Sequence, residues 1–126
     1  MVQSAPDAFN GPVIPSDWVP HRRPADSELV GYLRRDASGT TPLNLFGHPL
    51  ADPGEPARAV AVLEARGLAS LAEAWWLGHG DEAVEVRIVE ASPDRVHVVE
   101  APFGFYGPDS PRHTLETPAT ALSPRP

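Results

Sequence analysis

The side chains that could do chemistry are few and scattered. Five histidines (His21, His48, His79, His97 and His113) stand among 17 acidic residues. None forms an H-x-x-x-H or H-E-x-x-H pair, the spacings that put two imidazoles on one helix face for zinc. His79-Gly80-Asp81 could hold a cation on a turn, but ordinary turn polarity accounts for it, so no metal site is expected. Glu90 and His97 face each other if residues 83–101 form a hairpin. With Asp81 they are the candidates for acid–base or metal-dependent catalysis, although a cross-strand pair that merely stabilises a sheet explains them more simply. Ser70, Ser92 and Ser110 lack a G-x-S-x-G elbow. The glycines form neither G-x-G-x-x-G nor a Walker A loop, so no cofactor is expected. No residue is assigned a catalytic role, and the balance leans away from an enzyme.

The residues that could bind are aromatic and basic. Trp75 and Trp76 are adjacent, and on a strand adjacent side chains point to opposite faces. One is then core and the other exposed or covered. Trp18 precedes the only basic cluster, His21-Arg22-Arg23. Phe103-Gly-Phe-Tyr106 sits in a proline-rich stretch, either as cover for a sheet or as a recognition element. Tryptophan is enriched in binding hot spots. Trp18, His21, Arg22, Arg23, Trp75, Trp76, Phe103 and Tyr106 are therefore the candidate binding residues.

Composition narrows the classes. The 126 residues suffice for one domain with one modest core. Of the 16 prolines, five fall in residues 1–26 and six in residues 102–126. Proline removes a backbone donor and fixes φ, so it avoids the interiors of helices and sheets. The chain reads as an N-terminal proline-rich arm (1–26), an α+β domain (27–101) and a C-terminal proline-rich arm or tail (102–126). With no cysteine, disulfides, zinc–thiolate sites and cysteine nucleophiles are excluded. The net charge is −7, most of it on residues 27–101, and such a surface repels phosphate backbones and anionic membranes. The N-terminus has no basic region followed by an apolar run, and no apolar run approaches the length of a membrane span. A cytoplasmic location is expected.

The elements that must position these residues are short. Leu29 and Leu33 alternate with Val30 and Tyr32 in a first strand; Asp36-Ala-Ser-Gly39 is turn chemistry, and Thr40–Phe46 returns as a second, short strand in which Pro42 marks either an edge or the strand's start. A helix follows, with Asp52 as N-cap, Pro53 at N1, Glu55 at N3 and an apolar stripe of Ala59, Val60 and Leu63. Gly67 suits a left-handed C-terminal cap. Residues 69–77 read as a strand. Residues 83–91 and 95–101 are rich in β-branched residues and flank Ser92-Pro93-Asp94-Arg95, a type I turn. Centred on Pro93 and Asp94, that hairpin sets Val89 against Val98, Ile88 against Val99, Arg87 against Glu100 and Glu90 against His97. Both faces are then partly apolar. The whole predicts an α+β fold of order ββαβββ, an antiparallel sheet of about five strands with one helix on one face, and something else over the other face.

The chain resembles a group of uncharacterised small proteins of high-GC bacteria. The resemblance rests on Asp17-Trp-Val-Pro-His-Arg-Arg23, Glu28-Leu-Val-Gly-Tyr-Leu33, Leu45-Phe-Gly-His-Pro-Leu50, Arg66-Gly-Leu68 and Arg87-Ile-Val-Glu-Ala-Ser-Pro-Asp-Arg-Val96. It spans roughly residues 17–100 and implies a recurring domain, with no catalytic residue carried over. The first expectation for function is a non-enzymatic protein-interaction module, with a protein partner or a homodimer meeting the sheet face opposite the helix. The alternatives are a small enzyme around Asp81, Glu90 and His97, and a small-molecule binder in a cleft between sheet and arm.

Overall fold

In the computed structural model, which describes residue 15 and residues 17–125, the turn chemistry of Asp36–Gly39 closes the expected hairpin. Strand β2 (Leu29–Asp36) pairs antiparallel with β3 (Gly39–Leu43), and the Ser38 amide donates to Asp36 Oδ1 at 2.8 Å. Pro42 lies on an edge strand, as its missing N–H requires. Its carbonyl accepts the Leu50 amide at 2.8 Å. On the other side of β2 lies β1 (Trp18–Arg22), which the proline count had assigned to an arm. Pro20 is tolerated there because β1 is itself an edge. The rest of the N-terminal arm, including the loose end expected at residues 4–7, lies outside the described residues.

The helix α1 runs from Pro56 to Arg66 and buries Ala59 and Leu63, so the predicted stripe holds in part. Its cap does not. Glu55, not Asp52, is the N-cap, with extended φ/ψ of −70° and 145°. Two constraints delay the helix. Gly54 exchanges two backbone hydrogen bonds with Thr40 on the edge of β3, at 2.9 and 3.1 Å. Pro56 also disfavours the helical region for the residue before it. At the other end Gly67 is right-handed (φ −53°, ψ −58°), not left-handed. Glycine is required there for a different reason: a β-carbon would run into the Val30 and Leu63 carbonyl oxygens. This close approach lets α1 lie against β2, where Val30, Leu50 and Leu63 form a core cluster.

Residues 69–77 are not one strand. Ala69–Ala72 form a 3-10 turn, and only Trp75–Leu77 form a strand, β4. The turn is held from within: Ser70 Oγ donates to the Gly67 carbonyl at 2.8 Å, and the Ser70 carbonyl accepts the Trp75 indole N–H at 2.8 Å. A fully buried Asn44 ties this turn to the first sheet. Its Nδ2 donates to Ser70 Oγ (3.2 Å), and its Oδ1 accepts the Phe46 and His48 amides (3.2 and 2.9 Å).

Strands β5 (Val84–Ala91) and β6 (Arg95–Glu100) form the second expected hairpin. Near the turn the register is as predicted, with Glu90 opposite His97 and Ala91 opposite Val96. A bulge between Ile88 and Glu90 then shifts it by one, so Ile88 faces Val98, Arg87 faces Val99 and Val86 faces Glu100. A bulge sets two residues against one on the partner strand. The extra residue, Val89, is 41% exposed. The shift brings Val86, Ile88, Ala91, Val96 and Val98 into one core with Phe46, Trp75 and Leu122. Val99, next to Val98 and so on the opposite face, is also fully buried, so the hairpin is apolar on both faces at that end and the second face is covered within the chain.

The C-terminal stretch supplies two more strands. β7 (Arg112–Glu116) pairs with β6, and β8 (Leu122–Ser123) pairs with β4. The fold is α+β and antiparallel. Its strands form two sheets, ordered β1-β2-β3 and β7-β6-β5-β4-β8, and α1 packs on the smaller one. Phe46 joins them: it lies in the core of the larger sheet, three residues after β3 ends.

Gly67→Ala should destabilise the chain by about 1–3 kcal/mol, because the methyl group meets backbone that cannot yield. Gly54→Ala should be nearly neutral, since nothing lies closer than 4.0 Å to the added carbon. Urea denaturation of both variants tests this. Equal effects would contradict the close-approach account.

Candidate interaction site

Three of the exposed large hydrophobic side chains sit in one loop. Phe103 is 91% exposed, Phe105 79% and Tyr106 52%. The loop leaves the end of β6 through a 3-10 turn at Pro102–Gly104. Four of its amides bond inside the protein. Gly104 N–H donates to the Ala101 carbonyl (2.7 Å), Phe105 N–H to the Pro102 carbonyl (3.1 Å) and Gly107 N–H to Ser110 Oγ (2.9 Å). Phe103 N–H donates to Glu85 Oε1 at 3.1 Å, while Glu85 Oε2 holds Arg87 at 2.9 Å. Phe103 is in the left-handed region (φ 57°), which costs a non-glycine residue about 1 kcal/mol. Local hydrogen bonds and a dedicated carboxylate thus hold the loop against that cost while its aromatic rings face water.

Trp76 adjoins this site. It lies opposite Glu85 in the β4–β5 ladder and is half-buried. Sequence reasoning named Phe103, Tyr106 and Trp76; Glu85 bonds the Phe103 amide and faces Trp76 across the ladder. It missed Glu85 and Arg87 as supports because its register gave Arg87 to Glu100. With the bulge, Arg87 turns to Glu85, and Glu100 meets His113 at 2.9 Å instead.

The other candidates lie elsewhere. Trp75 is core, edge-on to Phe46 at 4.8 Å. Trp18 is buried against Tyr32, with ring centroids 5.6 Å apart. His21 reaches across to α1, its Nε2 2.7 Å from Glu64 Oε2. Arg22 donates to the Ser27 carbonyl at 3.0 Å. Arg23 grips Asp26 with two hydrogen bonds, at 3.0 and 2.6 Å, and with the Glu28 amide this holds the Asp26 carboxyl at about 2. The basic cluster is thus largely spent on local partners.

The candidates for catalysis do not converge. Glu90 Oε1 stands 3.8 Å from His97 Nε2, with the Glu90 side chain 73% exposed. His97 Nδ1 contacts Thr114 Oγ1 at 2.8 Å. Asp81 lies before the start of β5 and Glu90 near its end, which at the rise of a strand separates them by roughly 20 Å. Among the described residues, no three His, Asp or Glu side chains could hold a metal.

A cleft between the first sheet's return loop and the C-terminal stretch was expected only in outline. It has a volume of about 280 Å³ and is lined by Gly47, His48, Pro49, Pro118, Ala119, Thr120 and Leu122. His48 stands edge-on to Trp75, with centroids 4.9 Å apart. Burial, reinforced by the nearby Arg66 charge, pulls its pKa below the usual imidazole value. Sequence spacing offered no signal for it, since its neighbours come from a distant part of the chain.

Compared with known proteins, the chain matches no family model, no curated protein and no solved structure. No helix of the described residues is long and apolar enough to cross a membrane.

A lowered folded pKa means that the unfolded chain takes up the His48 proton first as pH falls. The stability His48 contributes is complete above the unfolded value near 6.5 and is lost as pH drops through it toward the folded value. His48→Gln should therefore flatten the decline in unfolding free energy between about pH 7 and pH 5.5. Identical slopes in the two proteins would show that His48 is not held neutral by burial.

Proposed function

We propose that this chain is a protein-interaction module that inserts Phe103, Phe105 and Tyr106 into an apolar pocket on another protein. The observation that carries the reading is their exposure on a loop whose backbone is already held. Burying one large apolar side chain contributes about 2 kcal/mol, so two phenylalanines left in water are a reserve for association. A preformed loop also loses little entropy on binding. The net charge of −7 argues against nucleic acid and anionic lipid as the partner. With no cysteine the chain needs no oxidising compartment to fold, and we place the interaction in the cytoplasm.

A photo-crosslinking residue in place of Phe105, irradiated in the source cells, should give a discrete heavier adduct. The adduct should vanish when Phe103 and Tyr106 are changed to serine. Those changes should shift stability by no more than about 0.5 kcal/mol, because the side chains make little contact within the chain. An adduct no stronger than one from the exposed Arg35 position would refute the reading.

The cleft beside His48 favours a second reading, a small-molecule binder. Its volume is close to the lower end of ligand pockets, roughly 300 Å³, and its walls are largely apolar with one imidazole and one hydroxyl. Small heteroaromatic compounds should raise the melting temperature of the natural chain and not of a Thr120→Trp variant. Equal shifts in the two proteins would exclude the cleft.

A further inference from the structure

Among the described residues one sheet edge is open to a partner strand. The outer edge of β3 is occupied by the returning loop, through Thr40 with Gly54 and through Pro42 with Leu50. β1 carries Pro20 in its middle, and β8 has only two residues. β7 has no proline between Arg112 and Glu116, and among the described residues no strand pairs with its outer edge.

The hydrogen bonds at its two ends fix which groups face outward. The Glu100 amide donates to the Pro111 carbonyl (2.8 Å), and the Thr117 amide donates to the Asp94 carbonyl (3.1 Å). Inward-bonded residues alternate along an antiparallel strand. His113 and Leu115 therefore bond to β6, while Arg112, Thr114 and Glu116 aim their N–H and C=O groups away from the sheet.

We propose that this edge pairs with the same edge of a second copy of the chain, antiparallel about a two-fold axis at Thr114. The two larger sheets then become one of ten strands. A two-fold contact must be self-complementary, and β7 is. With Thr114 against Thr114 of the second copy, Arg112 faces Glu116 of the second copy, and Glu116 faces its Arg112. Both side chains are exposed, and among the described residues neither has an ion-pair partner within its own chain. Opposite charges placed directly across strands stabilise the pair, and like charges destabilise it. A slip of two residues sets Arg112 against Thr114 and loses both ion pairs. Parallel in-register pairing sets arginine on arginine. Charges that only guard an edge would serve with any sign; here the signs are antisymmetric about the centre.

Sedimentation at physiological salt should show a reversible monomer–dimer equilibrium. R112E and E116R should each weaken it by about ten-fold or more, since each reversal turns two attractive pairs into two repulsive ones, and the double variant R112E/E116R should recover most of the loss. Thr114→Pro should abolish the dimer while leaving the β6–β7 ladder whole, because the N–H it removes points outward. The chain has no cysteine, so Thr114→Cys gives a clean register probe that should cross-link to itself under mild oxidation. A natural chain that stays monomeric to about 1 mM overturns the proposal, as does a dimer indifferent to both the charge reversals and Thr114→Pro.

Discussion

The buried Asn44 carboxamide holds the two sheets in one structure. The chain must turn sharply after β3 to send Phe46 into the core of the larger sheet, and the turn exposes amides that water cannot reach. Asn44 accepts two of them and passes its own N–H to Ser70, whose hydroxyl and carbonyl secure the end of α1 and the Trp75 indole. A buried group left without a partner costs about 1–3 kcal/mol, more than a satisfied bond contributes. One side chain therefore sets the path of the return loop, the 3-10 turn and the depth of Trp75. Trp75 in turn places β4, onto which both β5 and β8 pair.

The second constraint is the single bulge at Val89. One extra residue changes which side chains share a face from that point on. It gathers Val86, Val96 and Val98 into one core, while Val89 turns toward solvent and Val99 is buried on the opposite face. It also releases Arg87 from Glu100 and lets it pair with Glu85. The carboxylate that steadies the aromatic loop is a consequence of that shift. Core packing and the display of Phe103 thus depend on the same backbone irregularity.

The larger sheet presents two surfaces of different character. The loop at Phe103–Tyr106 is apolar and held in shape by local bonds, which suits a pocket of unrelated sequence. The β7 edge is polar, with unpaired backbone groups and an antisymmetric charge pattern, which suits its own copy. They meet at the Gly107–Pro111 segment, so a self-associated chain would carry two aromatic loops and bind a two-fold partner with the advantage of linkage.

Local features were legible from the order of the residues alone. Turn chemistry at Asp36–Gly39 and Ser92–Arg95 specified both hairpins, Pro42 called for an edge or a strand start, and the adjacency of Trp75 and Trp76 required one to be core and one to face away. These depend on neighbours within a few residues, where backbone sterics decide. The tertiary structure decided what joins distant residues. Pairing of β1, β7 and β8 relies on partners that lend short proline-flanked strands a sheet they could not form alone. The helix start moved to Glu55 because Thr40 holds Gly54, and Gly67 is needed for the approach of Val30. The aromatic loop was legible as a surplus of Phe and Tyr. Its outward display was not, because burial depends on what the rest of the fold leaves room to cover.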